Sequence, residues 1–224
     1  MKSLLILILV GGLTLTAWGD QTVSTNVTVN GTVPDGNPSG VASTVNISGV
    51  ETITDIRVNL DIANGYNGDL YAYLAGPAGQ IAVLLNRVGI SGSNPFGYDT
   101  PGFNITLSSS GANNIHNYEG GSYSLDPLTG QLTGTWAPDG RLIDPQSAGS
   151  AIDGASTSTA TLNNFVGTLA DGNWTLFIAD LSAGGQSTLV SWGLTIVTVP
   201  EPQAWMMIGG GFLMLVGLRK ITNR

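Results

Sequence analysis

Cysteine is absent from the 224 residues and histidine occurs once. The first absence excludes disulfide bracing and thiol chemistry; the two together leave no nitrogen and sulfur ligand set for a zinc site. Cations are scarce too, with seven Lys and Arg against fifteen Asp and Glu. Four of the seven (Lys2, Arg219, Lys220, Arg224) lie at the ends. Residues 20–198 therefore keep Arg57, Arg87 and Arg141 against fourteen acids, a net charge of about −11. A surface that acidic repels phosphate backbones, which excludes nucleic-acid partners. The same stretch shows no helical apolar period.

What is present is a chain 42% hydrophobic with thirty-two glycines and ten prolines, too apolar and too regularly patterned for disorder. Its ends read as addresses. Met1 to Gly19 carries one cation, Lys2, an apolar core over Leu4 to Val10, and Ala17-Trp18-Gly19 with small residues where a signal peptidase reads. Residues 1–19 are thus expected to be a secretory signal cut after Gly19, a retained anchor being the alternative that the short apolar run disfavours. At the other end, Val199-Pro200-Glu201-Pro202 precedes an uncharged apolar run, 204–218, and the basic residues Arg219, Lys220 and Arg224. As a helix that run spans about 22 Å, short of the roughly 30 Å hydrocarbon core of a bilayer. The positive-inside rule places the basic end in the cytoplasm and the body outside. Residues 199–224 resemble the PEP-CTERM sorting signal, the alternative being an ordinary C-terminal anchor. The resemblance implies a transient stay in the inner membrane of a Gram-negative bacterium, cleavage by an exosortase, and release to the cell surface or an exopolysaccharide matrix.

The body between the ends suits one domain. Val23, Val27, Val29 and Val33 alternate with polar residues as in a strand, and Pro34 to Pro38 reads as turns. Residues 20–49 form an N-terminal strand and linker packed on the body proper, 50–198. In Ile53 to Ile62 the inward set is Ile56, Val58, Leu60 and Ile62, and the outward set Asp55, Arg57, Asn59 and Asp61. Leu70 to Leu74, a turn at Ala75 to Gly79 and Ile81 to Leu85 read as strand, turn, strand. Phe103 to Leu107 and Thr135-Trp136 are further strands, with Ser108 to Asn117 and Ser147 to Thr161 loop-like. Trp174, Leu176 and Ile178 share one face, as do Val190, Trp192, Leu194 and Ile196; the glycine-bearing loop Ser182 to Ser187 makes these two strands an expected final hairpin with both indoles in the core. The pattern is that of an all-β sandwich or barrel.

Several spaced elements resemble a family: Ile56 to Ile62, Asn67-Gly-Asp-Leu70, Gly76-Pro-Ala-Gly79, Leu84-Leu85, Gly172-Asn-Trp-Thr-Leu-Phe-Ile-Ala-Asp180 and Thr188-Leu-Val-Ser-Trp-Gly-Leu194. They are similar to the P domain (Homo B domain) that follows the catalytic domain of kexin-like and furin-like subtilases. The resemblance implies a jelly-roll-like β-sandwich of about eight strands, but no catalytic domain accompanies it. His116, alone among asparagines in Asn113 to Asn117, reads as a solvated loop residue, and there is no Gly-x-Ser-x-Gly elbow. No enzyme activity is expected.

Hard cations want oxygen ligands, and Asp61, Asn64, Asn67 and Asp69 fall on one loop with Asp171 and Asp180 beside another strand, so calcium is the cation these residues could hold. The spacing departs from an EF-hand, and Asn and Asp are equally what turns demand; both readings stand. Trp136, Tyr66, Tyr98, Tyr118 and Tyr123, in loop-like surroundings, are the better candidates for surface contacts, with ordinary loop packing the expected role. The expected role is a non-catalytic exported surface or matrix module. The alternative is an accessory to a separately encoded subtilisin-like protease. Expected partners are a signal peptidase, an exosortase, and exopolysaccharide or a subtilase.

Overall fold

A computed structural model describes residues 20–49 and 51–199. Segment 1–19, Pro200, Glu201 and Pro202, the apolar run and the basic end lie outside the described residues. Among those described, no helix is long and apolar enough to cross a membrane.

Eleven strands are present, more than the eight expected: β1 (Gln21–Ser24), β2 (Val27–Thr32), β3 (Asn37–Ile47), β4 (Thr52–Ala63), β5 (Leu70–Ala75), β6 (Ile81–Asn86), β7 (Gly102–Ser108), β8 (Ser124–Leu125), β9 (Leu132–Trp136), β10 (Gly172–Asp180) and β11 (Thr188–Val199). They form two sheets. The large one runs β1-β11-β4-β7-β9-β8, with β2 also on β11, and the small one runs β3-β10-β5-β6. All pairings are antiparallel except β7 with β9. The only α-helix among the described residues is a five-residue turn, Gly149–Asp153, inside a stretch expected to be loop.

The alternation in β4 works as its spacing dictates: Ile56, Val58, Leu60 and Ile62 are buried while Arg57 and Asn59 are exposed. β5 and β6 pair as the expected hairpin around Ala75 to Gly79. The expected single strand over Gln21 to Val33 breaks at Thr25-Asn26 into β1 and β2, and both halves lie on β11. β3 begins at Asn37, within the segment expected to be turn.

The expected final hairpin is corrected. β10 pairs with β3 and β5 in the small sheet, whereas β11 pairs with β1, β2 and β4 in the large one. Ser182 to Ser187 is therefore a crossing between sheets, and Trp174 and Trp192 meet the core from opposite sides. Both indoles are buried as expected. Trp174 Nε1 donates to the Ala170 carbonyl at 2.8 Å. Trp192 Nε1 donates to Ser43 Oγ at 2.8 Å and so ties β11 to β3 across the sandwich. With their one polar atom satisfied, the rings contribute apolar area at no desolvation cost.

Candidate functional site

The loop after β4 is set by its own backbone demands. Asn64 and Gly65 adopt left-handed φ of 63° and 68°, values that Asn and Gly tolerate best. A short 3₁₀ turn, Asn67–Asp69, then feeds β5. Asn67 is fully buried: its Nδ2 donates to the Gly102 carbonyl at 3.1 Å and its Oδ1 accepts from Gly102 N–H at 2.9 Å. The amide thus imitates a strand neighbour and pins the loop to the start of β7. Gly68 has to be glycine, since a Cβ there would run into the Phe96 carbonyl.

Asp69 and Asp180 meet where β5 and β10 begin and end side by side, with Asp180 opposite Leu70 in the ladder. Both are buried, Asp180 completely. Asp180 Oδ1 accepts from Ser182 N–H at 3.3 Å, and its Oδ2 is buried with no partner. Burial, then the charges of Asp69 and Asp35, push this carboxyl up to about 6, against the pull of the Ser182 N–H and, more weakly, of the Gly36 N–H. Burial also raises Asp69, opposed by the Ser182 hydroxyl and by Arg87. Arg87 is held at φ 49° and donates from Nη2 to Ser182 Oγ at 3.2 Å. Burial lowers its guanidinium and the Asp69 charge partly restores it. Exposed Asp35 closes the corner by accepting from Gly184 N–H at 3.1 Å.

Of the residues expected to bind calcium, the structure therefore brings together Asp69 and Asp180. The side chain of Asn67 serves Gly102, and Asp61 Oδ1 accepts from Gln131 Nε2 at 2.9 Å. The carbonyl of Asn64 accepts from Ser187 Oγ at 3.4 Å. Among the described residues no group of three or more His, Asp or Glu is placed to share one metal ion. Val199, the first residue of the expected sorting motif, ends β11 and is exposed.

The expectation for His116 is corrected: it is fully buried. Its Nδ1 lies 2.8 Å from Asp139 Oδ2 and its Nε2 3.0 Å from the Ile90 carbonyl. The other Asp139 oxygen accepts from Arg141 Nη1 at 3.1 Å. Asp139 is positioned by its own N–H, which donates to the Leu84 carbonyl of β6. With both nitrogens engaged and water excluded, the ring has no free lone pair to take a substrate proton. Of the aromatics named as candidates for surface contacts, Tyr118 and Trp136 are buried and pack edge to face at 6.1 Å, the ordinary packing role. Tyr98 is half-buried against Tyr118, while Tyr66 and Tyr123 are exposed. Arg87, Asp139 and Arg141 were missed as a set. The one signal for them in the sequence is scarcity, because each arginine of the body has an aspartate beside it: Asp55 by Arg57, Asp69 by Arg87, Asp139 by Arg141.

In comparison with known proteins, residues 129–196 match the proprotein convertase P-domain family. The match takes in β10, most of β11 and the Trp136 to Gly140 run, and leaves Ile56 to Leu85 outside. Two solved structures are similar in outline. One is the Aeromonas sobria serine protease in complex with its chaperone, 16% identical, TM-score 0.45, covering 82% of this chain and 28% of that chain. The other is the serine protease of Aeromonas sobria, 17% identical, TM-score 0.43, covering 80% and 27%. The chain thus spans little more than a quarter of the length of these proteins. No curated protein matches it.

Proposed function

We propose that residues 20–199 form a non-catalytic P-domain-like module with jelly-roll closure, exported through the N-terminal signal and sorted to the cell surface or matrix through Val199-Pro-Glu-Pro202 and its apolar tail. The observation that carries the reading is the P-domain match over residues 129–196 in a chain whose single histidine is sealed in the core. A general base of the subtilase kind needs an accessible imidazole beside a nucleophile, and His116 offers neither exposure nor a vacant nitrogen. Calcium stays in the proposal in reduced form, at the Asp69–Asp180 pair, supported by the orphaned Asp180 oxygen.

Fractionation in an exosortase-deletion strain tests the sorting. The expected outcome is a longer, membrane-retained form in the deletion and a shorter form at the surface in its parent. An unchanged size and location would sink it. A second reading is favoured by the name of the matched family: the module supports a separately encoded subtilisin-like protease. Co-purification of such a protease with the tagged full chain, and loss of its activity when the chain is deleted, is the expected result under that reading.

A further inference from the structure

The outer face of the large sheet carries a cleft of about 450 Å³, away from the acidic corner. The register builds its floor. Ser191, Asp61 and Asn104 stand side by side across β11, β4 and β7, and Gly193, Asn59, Thr106 and Thr135 form the next row, ending on β9. Neighbouring groups in a row are about 4.8 Å apart and the rows about 7 Å apart. The break between β1 and β2 makes one wall. The Thr25 carbonyl lies directly over Gly193, where any Cβ would collide with it, and Thr25 is fastened there by its own N–H to the Leu194 carbonyl at 2.8 Å.

We infer that this cleft binds a neutral polysaccharide chain. The inference refines the reading of the body as a non-catalytic binding module and rests on it. Hydroxyls and carboxamides both donate and accept, which is the complement of a sugar ring with its alternating hydroxyl roles. Thr106 Oγ1 donates to Asn59 Oδ1 at 2.9 Å, which turns the Asn59 amide donors outward. Among the described residues, Asn26, Asn104, Thr135 and Ser191 have side chains with no protein partner. The lining holds no cation and one carboxylate, Asp61, already bound by Gln131. An anionic polymer would meet no countercharge on a body carrying three cations against fourteen acids. A protein partner would want an apolar or aromatic anchor. The apolar residues of the cleft, Leu60, Ile105 and Trp192, are buried beneath the polar rows and present none. The spacing within a row, about 4.8 Å, is comparable with the advance of one pyranose residue, so a linear chain can lie across the strands.

Native electrophoresis of the full chain tests this, in gels cast with barley β-glucan, galactomannan or dextran, and with alginate as the anionic comparator. A polyoxyethylene detergent is used because a glycoside headgroup would compete. The expected result is retardation by at least one neutral polysaccharide and none by alginate. Asn59→Ala with Asn104→Ala, and separately Thr135→Arg, should weaken the apparent affinity at least about fivefold, as loss of one or two hydrogen bonds would. Thr44→Ala, on the exposed face of the opposite sheet, should leave it unchanged, and all variants should melt with the parent. No retardation in any neutral gel, equal retardation by alginate, or indifference to the cleft substitutions each overturns the inference. So does capture of a protein in place of glycan. Because surface location is read by fractionation, failure here is separate from failure of the sorting proposal.

Discussion

The protein buries two clusters of charge, and they are finished differently. Around Asp139 both carboxylate oxygens are taken, one by His116 and one by Arg141. Around Asp180 one oxygen accepts a backbone N–H and the other faces protein with nothing to bond. Arg87, the cation of that corner, bonds to Ser182. The first arrangement satisfies both oxygens of its acid, although Arg141 Nε is buried without a partner, and holds the stretch after β9 against β6. The second leaves free energy to be gained by anything that neutralises Asp180, whether a proton or a cation.

Removing the acid from the finished cluster should have the largest effect. Asp139→Ala strands a buried guanidinium and an imidazole, and a loss of about 3–5 kcal/mol in chemical denaturation is expected. A loss below 1 kcal/mol would erase the contrast with the other cluster. The opposite sign is expected at the unfinished one. Asp180→Asn keeps the shape and the Ser182 N–H bond but removes the charge, and should raise stability at pH 7 by roughly 1–2 kcal/mol.

The same asymmetry sets a pH dependence. The Asp180 carboxyl titrates near 6 when folded and near its ordinary value of 3.8 when unfolded. The folded state therefore holds the proton more tightly, so stability is greater below this window and falls as pH rises through it. Melting temperatures of the parent, minus those of Asp180→Asn, should decline from pH 4 to pH 7 and then level off. A flat difference would mean that the group is not buried as described. The smallest effect expected is that of calcium. At millimolar concentration and pH 7 it should raise the melting temperature of the parent by a degree or two and leave Asp180→Asn unmoved, since an ion bound only when folded adds stability. Indifference of both proteins would leave the corner responsive to protons alone.

The sequence made β4 and the β5–β6 turn legible because a half-buried strand writes its two faces as alternate residues, and both indoles were placed for the same reason. Alternation says which way a side chain points but not which sheet holds it, so β10 and β11 were joined in a hairpin that does not exist. The candidate site was less readable. Asn67 in a loop looks like an oxygen ligand until Gly102, thirty-five residues on, is found within its reach. His116 looks solvated until Asp139 arrives from twenty-three residues away. Neither partner is marked by any local period, and the polar rows of the cleft exist only once the register of four strands is known.

The strand β11 lies between β4 on one side and β1 with β2 on the other, and Gln21 is directly opposite Thr198. The first and last strands of the described body are therefore partners, separated by nearly the whole chain. Until β11 has emerged, β1 and β2 have nothing to pair with and the large sheet lacks its inner strand. Contacts of such sequence separation form late and slowly. A nascent chain of this topology leaves its large sheet open until the final strand is delivered.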